Sequence, residues 1–235
     1  MLEERGIPSV ALGAVRAQME KTRPPRGLWT AAQLGRPLGE PEDKAFQRRV
    51  LLAALRLLER TDGPVILEDF PEDPPGLRDT PGWQAPALPA MTVTPDAPSV
   101  WSQAFAEELA LLLPLWRQAR QRFGRTTTGV SFQAPEAWPG FATRFLAGEL
   151  PIVAGHDTPA LALRFLCDDV KALYGEAAQA VGAAPSSRQV DAWFWRQTVA
   201  GRLLIALREA ASTSENNALK TVGGRFFVPV PWLPQ

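Results

Sequence analysis

Apolar positions recur with two different periods along the N-terminal part of the chain. A short run from Pro8 to Leu12 closes at Gly13 and predicts a strand, Pro being harmless at a strand's first residue. Residues 14–22 predict one or two helical turns, and Arg26 to Ala31, after Pro24-Pro25, a second strand. The loop 34–43 is punctuated by Gly35, Pro37, Gly39 and Pro41. Over 41–60 the spacing turns helical: Phe46, Val50, Ala53, Ala54, Leu57 and Leu58 share a face, with Lys44, Arg48 and Arg56 on the solvent side. Pro41 suits the first helical position, and Glu42 and Asp43 suit the positive end of the helix dipole. Gly63 stops that helix, and Val65 to Leu67 reads as a buried strand. Strand, helix and strand at this spacing predict a right-handed parallel crossover.

From Pro71 to Pro98 the periodicity dissolves among closely spaced prolines, which predicts an extended surface connector and a domain boundary. The remainder reads mostly as helix. Ser99 can cap a helix running to about Gln121, with Trp101, Phe105, Leu109, Leu112 and Trp116 on one side and a kink at Pro114. Thr126 to Phe132 is β-branched enough for a strand, and Glu136 to Ala147 predicts a short helix interrupted near Pro139. Thr158-Pro159, an N-cap followed by Pro, starts a helix to about Val181. Ser186-x-x-Gln189 has the form of a capping box. The next helix, to about Ala211, is apolar on most sides and predicts a buried central helix, with Gly201 admitting a close neighbour. FFVPVPWLP predicts an extended tail that cannot sit in a central strand.

Composition narrows the function classes. Lys+Arg and Asp+Glu stand at 25 each, so electrostatics offer no case for nucleic acid or an anionic membrane as partner. No apolar run approaches the roughly 18 residues that span a bilayer. The opening MLEERGIPSV carries acidic residues and no apolar core, so no secretory leader is expected. A single cysteine, Cys167, cannot form an internal disulfide and fits a reducing, cytoplasmic setting.

Candidate chemistry is sparse. Cys167 lies on a face with Leu163, Val170 and Tyr174, and beside Asp168 and Asp169, which disfavour a thiolate; it reads as a core residue. His156 is the sole histidine, in a loop before a helix, and one His with one Cys gives no metal site. Gly35-Arg36-Pro37-Leu38-Gly39 follows a predicted strand and precedes a helix, where open α/β sheets bind ligands. Its glycines let the backbone approach, and Arg36 could grip a carboxylate; a plain connecting loop is the alternative. Its spacing fits neither a phosphate loop nor a dinucleotide fingerprint. Glu68, Asp69, Glu72 and Asp73 cluster at the end of the third strand, where they could bind an ammonium group, serve as acid and base, or stand in solvent as an acidic loop. Trp193, Phe194 and Trp195 point three ways round a helix and read as core.

The runs ERGIPSVAL, LGRPLGEPEDKAFQRRVLLAALRLLE and GPVILEDFPEDPP, in that order, resemble the C-terminal part of selenoprotein B type proteins. These are the substrate-specific subunits of glycine, sarcosine, betaine and D-proline reductases. The resemblance covers residues 1–75; SSRQVDAWFWRQTVAGRLL resembles extensions of uncharacterised members and implies no chemistry. It implies thiol- or selenol-dependent reduction of a small amino-acid-like substrate with a dithiol/disulfide couple and no separate cofactor. It also implies partner reductase subunits or a dithiol donor, and a homo-oligomer is compatible with it. In that family the redox selenocysteine or cysteine precedes the GIP strand. Met1 is therefore expected to be a restart after a UGA codon, or another misplaced start, and no catalytic residue is assigned within the chain. The substrate contacts expected are Gly35, Arg36, Gly39, Glu68 and Asp69, for a carboxylate-bearing small molecule. A non-catalytic binding or partner subunit lacking the redox turn is the alternative. The fold expected is α/β: a partial parallel three-layer sheet domain over 1–75, a Pro-rich connector over 76–98, and a helical region over 99–235. The sheet edge is expected to be exposed or covered by the C-terminal helices.

Overall fold

A computed structural model of the chain describes residues 2–33, 36–89, 97–180 and 182–233. It is an α/β structure: a small parallel sheet near the N-terminus, then a mostly helical region. The chain divides into two compact units. The first is Met1–Asp79 with Ser186–Arg188; the second is Thr80–Pro185 with Gln189–Gln235.

In the first unit, β1 (Ala11–Gly13), α1 (Arg16–Thr22), β2 (Arg26–Trp29), α2 (Lys44–Arg56) and β3 (Ile66–Asp69) follow in order. The strands are parallel, with β2 central; Leu12 lies opposite Leu28, and Leu28 opposite Glu68. The first two strands begin or end a few residues from where the sequence places them, because ladder pairing and not apolar content sets their length. Helix α2 starts at Lys44, three residues later than expected. The Asp43 carboxylate accepts from Phe46 N at 3.0 Å and caps the helix, while Glu42 has φ 65° and cannot belong to it. Its apolar stripe buries Phe46, Val50 and Ala54 with Leu28, Leu57, Ile66 and Phe70. Phe46 and Phe70 meet edge to face at 5.7 Å.

The second unit holds the larger core. Its helices are α3 (Pro98–Phe123), α4 (Trp138–Leu146), α5 (Pro159–Ala177), α6 (Ser187–Gln197, whose first two residues count with the first unit), α7 (Val199–Thr213) and α8 (Asn217–Val222). Part of the expected surface connector belongs here: Trp83, Ala85 and Leu88 lie half-buried on this core, and Trp83 Nε1 donates to Ala178 O at 3.3 Å. Helix α3 runs on through Pro114. Thr158 Oγ1 caps α5 by accepting from Leu161 N at 3.2 Å, ahead of Pro159.

Four expectations need correction here. Thr126 to Phe132 is not a strand but a loop, with Gly129 at φ 117° and Phe132 at φ 56°. Pro139 does not interrupt its helix; it sits in the first turn of α4, where its missing N–H costs nothing. The long helix ending near Ala211 is two helices, broken at Thr198. That side chain donates to Phe194 O at 2.7 Å and accepts from Gly201 N at 2.9 Å, closing one helix and capping the next. Gly201 is required at the break, because a Cβ there would lie 2.2 Å from Phe194 O. The C-terminal segment is not simply extended: Gly223–Phe227 forms a π-helical turn that buries Phe227, and Val230–Trp232 a 3-10 turn. Among the described residues no helix is long and apolar enough to cross a membrane.

Candidate functional site

The carboxyl edge of the parallel sheet is where the first unit gathers charged groups. The loop after β2 returns through turns in which Arg36 N donates to Gln33 O and Gly39 N to Arg36 O, both at 2.9 Å. Gly39 has φ 81°, and a Cβ on it would meet the Phe46 ring at 2.7 Å, so this glycine serves the approach of loop to helix. Gly35 lies outside the described residues. Arg36 NH1 donates to Glu40 Oε2 at 2.7 Å, so the guanidinium proposed to grip a carboxylate already holds one.

Glu68 and Asp69 are neighbours on β3 and so face opposite sides of the sheet. Glu68 pairs with Arg60, which also holds Asp62 and pulls its pKa down to about 2. Asp69 accepts from Arg16 Nε at 3.0 and 3.1 Å through its two oxygens. That hydrogen bond raises the Arg16 pKa further, and Arg16 also pairs with Glu20. Glu72 is held by Arg49 through two bonds of 2.9 and 2.8 Å, which lower its pKa, and Asp73 lies 3.6 Å from Arg188. The expected acidic cluster is thus a set of separate ion pairs on half-exposed side chains, each screened by solvent and contributing little to stability.

Sequence reasoning missed Arg16 and Trp29. Arg16 follows the end of β1, Trp29 ends β2, and Asp69 ends β3, so the three residues mark the carboxyl end of all three strands. Trp29 Nε1 donates to Ala14 O at 3.2 Å and fixes the turn into α1. A carboxylate ligand here would compete with Asp69 for a guanidinium at modest cost, since that pair is nearly half exposed. The signal available in the sequence was an arginine three residues past a short apolar run.

The second unit carries its polar chemistry inside. Cys167 is buried, and burial pushes its thiol up to about 12. It is inert at neutral pH. His156 is half-buried, stacked on the Phe165 ring at 5.0 Å and tilted against the Phe132 ring at 4.9 Å. Trp193, Phe194 and Trp195 are all buried.

Three carboxylates act as internal clasps that the sequence did not announce. Glu108, on α3, accepts from Tyr174 Oη at 2.5 Å, Val199 N at 2.7 Å and Ala200 N at 3.0 Å. Burial raises its pKa against the pull of those donors, and burial with the Glu108 charge raises that of Tyr174. Asp169, fully buried on α5, accepts from Gly129 N, Val130 N, Ser131 N and Ser131 Oγ at 2.8, 3.1, 2.9 and 2.5 Å. Glu176, two turns on, accepts from Trp116 Nε1, Thr126 Oγ1, Thr127 N and Thr127 Oγ1 at 2.7–2.9 Å. Among the described residues no group of His, Cys, Asp and Glu could hold a metal ion. No protein-family model, curated protein or solved structure matches the chain.

Proposed function

We propose that the chain belongs to a reductase of the selenoprotein B type and supplies scaffold and substrate contacts for it. On this reading the N-terminal sheet is part of a three-layer α/β domain. Its carboxyl edge receives a small, carboxylate-bearing, amino-acid-like substrate near Arg36, Gly39, Glu68 and Asp69, with Arg16 as a further cation. The reaction passes two electrons from a dithiol, which closes to a disulfide, to the substrate. The reactive selenolate or thiolate comes from residues other than these 235, or from a partner subunit.

The supporting observation is the order of the first unit: a parallel sheet in which the GIP segment leads into β1, the PLG loop follows β2, and α2 crosses to β3. The burial of Cys167 supports the second part, because a thiol titrating near 12 is no nucleophile at neutral pH. The same burial favours a second reading, a non-catalytic binding or partner subunit.

The test is reduction of glycine, sarcosine, betaine and D-proline with dithiothreitol as donor. It compares the 235-residue chain, a longer chain read in frame through any upstream UGA or Cys codon, and Cys167→Ser in each. Turnover confined to the longer chain and unchanged by Cys167→Ser is the expected outcome. Turnover by the 235 residues that Cys167→Ser abolishes would refute the assignment. Substrate binding by the longer chain without turnover selects the partner-subunit reading.

A further inference from the structure

A different place in the molecule carries chemistry that this reading does not use. At the end of α3 a hollow of about 570 Å³ is lined by Arg117, Arg120, Gln121, Gly124, Arg125 and Thr126. That volume lies within the roughly 300–1,000 Å³ of small-molecule sites. We propose that this arginine-lined hollow binds a small ligand bearing a phosphate or diphosphate group.

The helix dipole accounts for basic residues in the last turn of α3, which include Arg120 and Arg122. It does not account for Arg117, which lies before that turn, or for Arg125, which lies past the cap. The neighbouring Arg122 is otherwise occupied, donating to Gln179 O at 3.4 Å. Arg125 has no carboxylate partner among the described residues. Its backbone is pinned on both sides. Gly124 N caps α3 on Arg120 O at 2.9 Å, and Thr126 and Thr127 are tied to Glu176. Arg120 stands over the Trp116 ring at 4.8 Å, which orients its guanidinium.

Charge selects the ligand class. Three guanidiniums line the hollow, offset by the negative end of the α3 dipole and by Glu136, which approaches Arg117 at 3.6 Å on an exposed pair. The Glu176 carboxylate already accepts four hydrogen bonds. A monocarboxylate matches one bidentate guanidinium face; a phosphate or diphosphate offers two or more charges and oxygens enough for several.

The experiment is titration of the full chain with sodium pyrophosphate by calorimetry at low salt. Orthophosphate, a sugar phosphate, succinate and a single-stranded oligonucleotide are run beside it. Pyrophosphate is expected to bind one site, more weakly as NaCl is added. Arg125→Gln is expected to weaken it roughly tenfold or more, the loss of a charge-assisted contact. Arg125→Lys should recover part of that, and Arg144→Gln, at an exposed ion pair elsewhere in the same unit, should change nothing. Circular dichroism confirms that each variant is folded. Absence of pyrophosphate binding, binding undiminished in Arg125→Gln, or succinate binding as tightly would overturn the proposal. So would an oligonucleotide binding where pyrophosphate does not. None of these outcomes bears on reductase turnover, so the two proposals fail separately.

Discussion

Asp169→Asn isolates what one buried carboxylate does for a loop forty residues away. Each group around it is a donor: Oδ1 accepts from Gly129 N and Val130 N, and Oδ2 from Ser131 N and Ser131 Oγ. Asparagine keeps the shape but replaces one oxygen with an NH2 group. The least costly placement puts that NH2 where Oδ2 was, since the Ser131 hydroxyl can turn and accept from it. The Ser131 N–H then faces a donor, in a residue with no exposure. A buried N–H left unpaired costs about 1–3 kcal/mol, and weakening the two remaining bonds from charged to neutral costs about 0.5–1 kcal/mol each. Relief of the desolvated charge returns part, leaving about 2–4 kcal/mol of destabilisation. For a chain of this size that is a fall of about 5–15 °C in Tm. The neighbouring Asp168→Asn is the control. Asp168 makes partly exposed pairs with Lys171 and Arg164, at 2.9 and 3.8 Å, and its substitution should cost under about 1 kcal/mol. Urea denaturation of both variants, with hydrogen exchange across 126–132, makes the comparison. An Asp169→Asn protein within about 0.5 kcal/mol of the parent, with that loop still protected, would refute the clasp.

Cys167 and the Glu108–Tyr174 pair give further tests. Native Cys167 should resist Ellman's reagent at pH 8 and react once unfolded. Its folded pKa is raised from 9.0 to about 12, so the native advantage is full below about 9 and is lost as pH rises toward 12. Stability of the parent should therefore fall up to about 1.4 kcal/mol per pH unit faster across that window than stability of Cys167→Ala. Equal slopes would contradict the burial. Glu108→Ala leaves Val199 N–H, Ala200 N–H and Tyr174 O–H unpaired and should cost about 3–5 kcal/mol in urea. Tyr174→Phe removes one of the three bonds and should cost about 1–2 kcal/mol. Equal losses from the two would show that the amides do not depend on the carboxylate.

The sheet edge shows how far site residues can be read without coordinates. Arg36, Glu68 and Asp69 were visible as charged groups near predicted strand ends. Which charge each one meets was not. Arg36 meets Glu40 four residues on, but Glu68 and Asp69 meet arginines on opposite faces, Arg60 and Arg16. Arg16 lay in a segment whose sequence offered only one or two helical turns, so nothing distinguished it from other surface arginines.

Several features of this fold are set by local physics alone. The apolar stripe of α2, the Thr158-Pro159 start of α5 and the strand–helix–strand spacing that enforces a parallel crossover all act within a few residues or through chain chirality. Long-range packing settles where a local preference is overruled. Thr126 to Phe132 has β-branched residues enough for a strand, yet its amides go to Asp169 and Glu176. The apolar run across Thr198 is periodic enough for one helix, yet Glu108, some ninety positions earlier, takes the amides of Val199 and Ala200 that a break sets free. A buried carboxylate requires donors wherever the chain can bring them, and the partners that satisfy it lie too far along the sequence for any local pattern to record.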